Sequence, residues 1–408
     1  MLTAARLGAA ALSAALLAGV AAGPALADSP APTPVTVPEG LYGKGDPTYD
    51  GVWRQSLALT ALKAAKLVPA DSAVGWLTGQ QCEDGGWPSY RAAGAACDPK
   101  KEDSNATALA VQALVALGGH QDAVDKGVNW LKATQTADGG WGYNPGNLSD
   151  ANSTGLAVSA LFAANADPAS VAKAGTNALD GLRPFQLGCA ARPEERGSFA
   201  YQLEGGTIAP NALASAQGAL AAAGGYLPVA SSVHADTAPK ALDCANGSPV
   251  PRTLDGEGAG AYLTAQLAAN GNHLMLTMPG ADPKPDYTAT AWAALSLIQG
   301  GHPQQAAGAV DWLTQQGATW TKNGTDPAAT ATLLLVTSAA QRDTAPLTGE
   351  LTALGPAPKG TDSSDQAAAP AKKKNDGFGQ YWLIIVGLLV GIGGGVLLSL
   401  QRKRNPNL

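Results

Sequence analysis

Two stretches of the chain repeat one another around a pair of glycines and a tryptophan, and this repetition limits the possible folds more than any other feature. Trp76 to Tyr90 reads WLTGQQCEDGGWPSY, and Trp130 to Asn144 reads WLKATQTADGGWGYN. Each contains Gln, three residues, then Gly-Gly-Trp, at Gln81 to Trp87 and Gln135 to Trp141. A weaker copy lies between Leu182 and Tyr201, with Gly197-Ser198-Phe199 in the Gly-Gly-Trp place. Self-similarity at a fixed period marks a repeat architecture, in which each unit buries its apolar face only against its neighbours.

A second unit alternates with the first. It reads DSNATALAVQALVALGG from Asp103, DANSTGLAVSALFAA from Asp150, DYTATAWAALSLIQGG from Asp286 and DPAATATLLLVTSAA from Asp326. The stretch from Thr207 fits with its Asp replaced, and GVWRQSLALTALKAAKL after Asp50 reads as the first copy. Ala and Leu recur at helical spacing, and Gly-Gly closes several copies as a stop signal. The leading Asp is a good N-cap, because its carboxylate accepts hydrogen bonds from unsatisfied N–H groups of the first turn. These helices are apolar nearly all round and are expected inside. Partners such as DAVDKGVNWLKATQ from Asp122 carry the charge and are expected outside. Six inner and six outer helices predict an all-α fold, a closed double ring over residues 41–345; closure removes the exposed ends that an open array would have to cap.

The chain ends carry other signals. Arg6, an uncharged apolar run from Leu7 to Val20 and the small residues Ala25 and Ala27 predict a signal peptide over 1–27, followed by an extended segment at 28–40. Residues 346–380 are rich in Pro, Ala and Lys and are expected to form a disordered stalk. Residues 381–400 are uncharged and apolar, long enough to cross about 30 Å of hydrocarbon. Residues 401–408 form a basic tail that the positive-inside rule places in the cytoplasm. The expected location is therefore the cell membrane, single-pass, with the N-terminal domain extracellular. Four cysteines, Cys82, Cys97, Cys189 and Cys244, fit two disulfides in such a setting. Of the three possible pairings, Cys82–Cys97 with Cys189–Cys244 is preferred, since each pair falls between neighbouring helices. A net charge of −6 without a basic patch argues against a nucleic-acid partner.

Gln-x-x-x-Gly-Gly-Trp followed by an Asp-x-x-x-Thr-Ala helix resembles the prenyltransferase and squalene-cyclase repeat. The resemblance implies the α/α toroid of terpenoid cyclases, protein prenyltransferases, complement-like thioester domains and the cobalamin-binding intrinsic factor and transcobalamin group. Fold does not fix function, so each activity has to be sought in its own residues. The Asp-x-Asp-Asp acid of alkene-protonating cyclases, the Asp-rich magnesium motif of terpene synthases and the Cys-Gly-Glu-Gln of thioester domains have no counterpart in the sequence. Asp243 and Cys244 are adjacent, so the Asp-x-Cys zinc pattern of prenyltransferases is also missing. No catalytic residue, metal ligand or cofactor is assigned, and the resemblance is taken as nearest the non-catalytic cobalamin binders.

Loops at the mouth of a helical ring suit a small ligand. The inner-helix starts and the turns before them place Tyr90, Asp103, Tyr143, Asn144, Asn147, Asp150, Tyr201, Asp286 and Tyr287 there as candidate ligand-binding residues. For each Asp a helix cap is the simpler explanation, and for each polar or aromatic residue turn chemistry is. The first functional expectation is an anchored extracellular binder of an amphipathic small molecule such as a corrinoid, working with a transporter or a lid protein. The alternatives are a cyclase-like or prenyltransferase-like enzyme with an atypical site, or a surface protein-interaction module.

Overall fold

The computed structural model describes residues 37–203, 208–230, 237–245, 254–278 and 280–361. The expected signal peptide, transmembrane span and basic tail lie outside these residues. Among the described residues no helix is long and apolar enough to cross a membrane.

Thirteen helices are present among the described residues: α1 (Gly51–Ala64), α2 (Asp71–Gln80), α3 (Ser104–Leu117), α4 (Gln121–Thr134), α5 (Ala151–Ala163), α6 (Ala178–Leu182), α7 (Ala212–Ala222), α8 (Gly256–Ala269), α9 (Tyr287–Gln299), α10 (Pro303–Gln315), α11 (Gly317–Trp320), α12 (Pro327–Ala339) and α13 (Ala345–Thr352). Six of them form an inner ring. Helix α1 packs on α3, α3 on α5, α5 on α7, α7 on α9 and α9 on α12, and α12 returns to α1. Helices α2, α4, α6, α8, α10 and α13 pack outside α1, α3, α5, α7, α9 and α12 respectively, and α11 is a single turn between α10 and α12. The α/α toroid expected from the repeats is thus formed.

The two rings differ as their sequences require. On α3 every position from Ala106 to Leu114 is buried, because it is covered by both neighbours and by α4. On α10 the buried residues are Ala306, Ala309, Val310 and Leu313, a single stripe at helical spacing.

The repeated motif builds the turn between an outer helix and the next inner one. The Gln81 amide donates to Gly85 O at 3.0 Å and to Ala123 O, at the start of the next outer helix, at 2.9 Å. Gln135 does the same to Gly139 O and Val171 O, and Gln186 to Gly197 O and Asp255 O. Gly85, Gly139 and Gly197 have φ of +106°, +86° and +87°, a region that only glycine enters at little cost. Trp87 and Trp141 are fully buried and donate from Nε1 to Leu77 O and Leu131 O. Their backbone N–H groups donate to Thr107 and Thr154, the Thr of each Asp-x-x-x-Thr helix. Phe199 and Ser215 repeat that bond in the weaker copy.

Both preferred disulfides form, Cys82–Cys97 and Cys189–Cys244. The stalk boundary is corrected. Residues 346–361, expected to be disordered, belong to the folded unit. Leu351 is fully buried, and Gly360–Thr361 pairs antiparallel with Leu67–Val68. Tyr42 is also buried, and its hydroxyl donates to Pro356 O at 2.8 Å, so the two ends of the domain are stitched together.

Candidate functional site

The ring encloses a cavity of about 870 Å³ that opens where the inner helices begin. Its wall takes Trp53 from α1, Asn105 from α3, Asn152 and Ser153 from α5, and Asn211 and Gln217 at and within α7. Tyr262 and Gln266 of α8, four residues apart and so on one helix face, enter from the outer ring. The short hairpin of Leu274–Leu276 with Lys284–Asp286 closes one side with Leu274, Met275 and Leu276.

The helix starts at the rim are capped by their own sequence. The Asp103 carboxylate accepts from Asn105 N and Ala106 N, Asp150 from Ser153 N, Asn211 from Ala214 N, and Asp286 from Ala289 N, all between 2.7 and 3.0 Å. Asp50 is different, since its carboxylate turns to Arg54 at 3.2 Å. Burial pushes the Asp103, Asp150 and Asp286 carboxyls above the usual range, and the cap hydrogen bonds oppose it. Ser89 Oγ donates to Asp103 at 2.8 Å and lies 3.1 Å from the Tyr143 hydroxyl, which links the buried carboxyl to the cavity wall. Burial, followed by the nearby Asp103, pushes the Tyr143 phenol up to about 12. Burial also raises Tyr262 to about 12. The cavity tyrosines are therefore neutral hydroxyls at any ordinary pH.

Of the residues singled out from sequence, Tyr143, Asp150, Tyr201 and Asp286 line the cavity. Asp103 lies behind Tyr143 through Ser89. The others are engaged elsewhere. Tyr90 stacks on Trp76 with ring centres 6.5 Å apart, and Asn144 donates to Glu102 O at 2.8 Å. Asn147 sits in the turn below, its N–H donating to Asn144 O. Tyr287 stacks on Trp312 and Trp320 with ring centres at 5.0 and 5.9 Å. The cavity residues that sequence reasoning passed over include Trp53, Asn105, Asn152, Gln217, Tyr262 and Gln266. One signal was available: Asp103-Ser104-Asn105 and Asp150-Ala151-Asn152 share an Asn two places after the capping Asp.

Among the described residues one group of possible metal ligands comes together, Cys82, Cys97 and Glu102, and its two sulfurs are already bonded to each other.

Residues 41–156 match the family described as squalene-hopene cyclase C-terminal domain. That stretch contains both full Gly-Gly-Trp copies. The squalene–hopene cyclase of Zymomonas mobilis subsp. mobilis is 37% identical over 100 residues, covering 22% of this chain. The match spans only 15% of that enzyme's length. A crystal structure of a protein from Actinoplanes aligns at 15% identity with a TM-score of 0.46, covering 75% of this chain and 95% of that one. The sequence likeness is to a terpenoid cyclase and lends no support to the nearness to cobalamin carriers expected above.

Proposed function

We propose that this toroid is a terpenoid-cyclase-like domain whose central cavity holds a hydrocarbon-rich, isoprenoid-type ligand at an atypical site. The observation that supports it most is the cavity wall, where Trp53, Tyr143, Tyr201 and Tyr262 stand with Leu274, Met275 and Leu276 around a volume suited to a folded prenyl chain. Aromatic faces and aliphatic side chains favour such a ligand by removing apolar area from water, about 25 cal/mol per Å². The cyclase likeness over residues 41–156 points the same way.

The site departs from alkene-protonating cyclases in one respect. The residue two places after the capping Asp103 and Asp150 is an amide, Asn105 or Asn152, and an amide is no proton donor to a carbon–carbon double bond. Asp103, Asp150 and Asp286 spend carboxylate oxygens on backbone N–H groups. The reading is therefore one of ligand binding first.

The test is native mass spectrometry of the full chain in mild detergent after incubation with squalene, geranylgeraniol or cyanocobalamin. One isoprenoid bound per chain, with the corrinoid excluded, is the expected result. Corrinoid binding without isoprenoid binding would overturn the proposal in favour of a cobalamin-type binder.

A further inference from the structure

Two side chains in the cavity wall, Gln217 fully buried and Asn105 half-buried, each carry a buried hydrogen-bonding atom without a partner among the described residues, and the two atoms are of opposite kind. Asn152 Nδ2 donates to Gln217 Oε1 at 2.8 Å, which leaves Gln217 Nε2 as a donor with no acceptor. Gln217 is only 2% exposed. Asn105 Oδ1 is an acceptor with no donor. Both residues line the same cavity. A buried polar group left unpaired costs about 1–3 kcal/mol, so these atoms call for a ligand that offers both a donor and an acceptor.

Charge narrows the choice. The described lining residues include two carboxylates, Asp150 and Asp286, and no Lys, Arg or His. Helix N-termini would otherwise attract an anion, but here their free N–H groups are answered by Asp103, Asp150, Asn211 and Asp286. A diphosphate or carboxylate head group would meet negative charge with no counter-ion. An ammonium group would have nothing to offer the Gln217 donor. A hydroxyl is the smallest neutral group that both donates and accepts.

On these grounds, and resting on the isoprenoid reading above, we infer that the cavity selects a neutral isoprenoid alcohol, with Gln217 and Asn105 as the residues that read its hydroxyl. The hydroxyl hydrogen goes to Asn105 Oδ1 and the oxygen accepts from Gln217 Nε2, while Trp53, Tyr201 and Tyr262 cover the hydrocarbon.

The experiment is equilibrium binding of the full chain to geranylgeraniol, its methyl ether, the oxygen-free geranylgeranyl hydrocarbon and geranylgeranyl diphosphate. The alcohol is expected to bind about tenfold tighter than the hydrocarbon, with the ether between them and the diphosphate weakest. Gln217→Met is expected to remove the preference for the alcohol over the hydrocarbon, with a cooperative thermal melt showing that the variant is folded. Equal affinity for alcohol and hydrocarbon, or diphosphate binding as tight as alcohol binding, would overturn the hydroxyl selection while leaving the isoprenoid reading in place. Failure of all four ligands to bind would remove both.

Discussion

Asn152 on α5 and Gln217 on α7 hold each other by one buried hydrogen bond, Nδ2 to Oε1 at 2.8 Å, across two neighbouring inner helices. Because Gln217 Nε2 has no partner, this bond is the only one its amide makes among the described residues. Asn152→Ala should therefore leave the whole Gln217 amide unsatisfied and lower stability by about 1–3 kcal/mol. Adding Gln217→Met should recover part of that loss, since no buried amide then remains. Urea unfolding of the two single variants and the double variant measures the coupling; strictly additive losses would show that the pair does not interact.

Glycines in the outer helices are predicted to respond in opposite directions. A Cβ on Gly127 of α4 would lie 2.6 Å from Val111 Cγ2 and 2.9 Å from Trp87 Cζ3, so Gly127→Ala should destabilise by about 1–3 kcal/mol. Gly75 of α2 faces open space, and Gly75→Ala should stabilise by about 0.5–1 kcal/mol. Thermal unfolding reads both. A stabilised Gly127→Ala would contradict the close packing of α4 on α3.

Glu102 gives the fold a pH dependence. Its side chain is buried beside Trp130, whose Nε1 donates to one carboxylate oxygen, while the other oxygen has no partner. Burial, partly opposed by the Trp130 bond and reinforced by Asp84, raises it from 4.5 to about 7. The folded state then holds a proton that the unfolded state has released between those values. The contribution of Glu102 to stability should accordingly be greatest below about 4.5 and fall as pH rises to about 7. Glu102→Gln keeps an acceptor for Trp130 and removes the charge. It should flatten the profile by on the order of 2 kcal/mol between pH 5 and 8. Urea unfolding at those two pH values checks it; identical slopes in both proteins would contradict the assignment.

The disulfides should matter unequally. Cys82–Cys97 closes 15 residues and Cys189–Cys244 closes 55. Loop-closure entropy gives about 3 kcal/mol for the shorter loop and about 4 kcal/mol for the longer. Replacing each pair by serine should lower the melting temperature more for Cys189–Cys244; the reverse order would mean that native-state strain dominates.

The ring was legible in the sequence because its motifs are structural. Gln81 and Gln135 tie adjacent outer elements, Trp87 and Trp141 fill the core, and Thr107 and Thr154 satisfy the tryptophan amides, so each motif residue has a fixed local duty. The cavity was less legible. Gln217 and Tyr262 lie inside helices whose pattern reads simply as helical, and which residues face the centre is decided by ring closure. Tyr287 begins α9 and Tyr90 lies in the turn between α2 and α3, but Trp76, Trp312 and Trp320 occupy their ring faces. The true end of the domain depends on contacts such as Tyr42 with Pro356, 314 positions apart, which no local signal reports.

Photo-crosslinking tests the central claim most directly. The full chain is irradiated with a diazirine-bearing geranylgeraniol, and modified peptides are mapped by mass spectrometry, with and without excess unlabelled alcohol. Saturable labelling of Tyr143, Tyr201, Tyr262 or the Leu274–Leu276 strand, suppressed by the competitor, is the predicted result. Labelling confined to the outer groove between Leu67, Val74 and Leu117, or labelling that the competitor does not reduce, would contradict it.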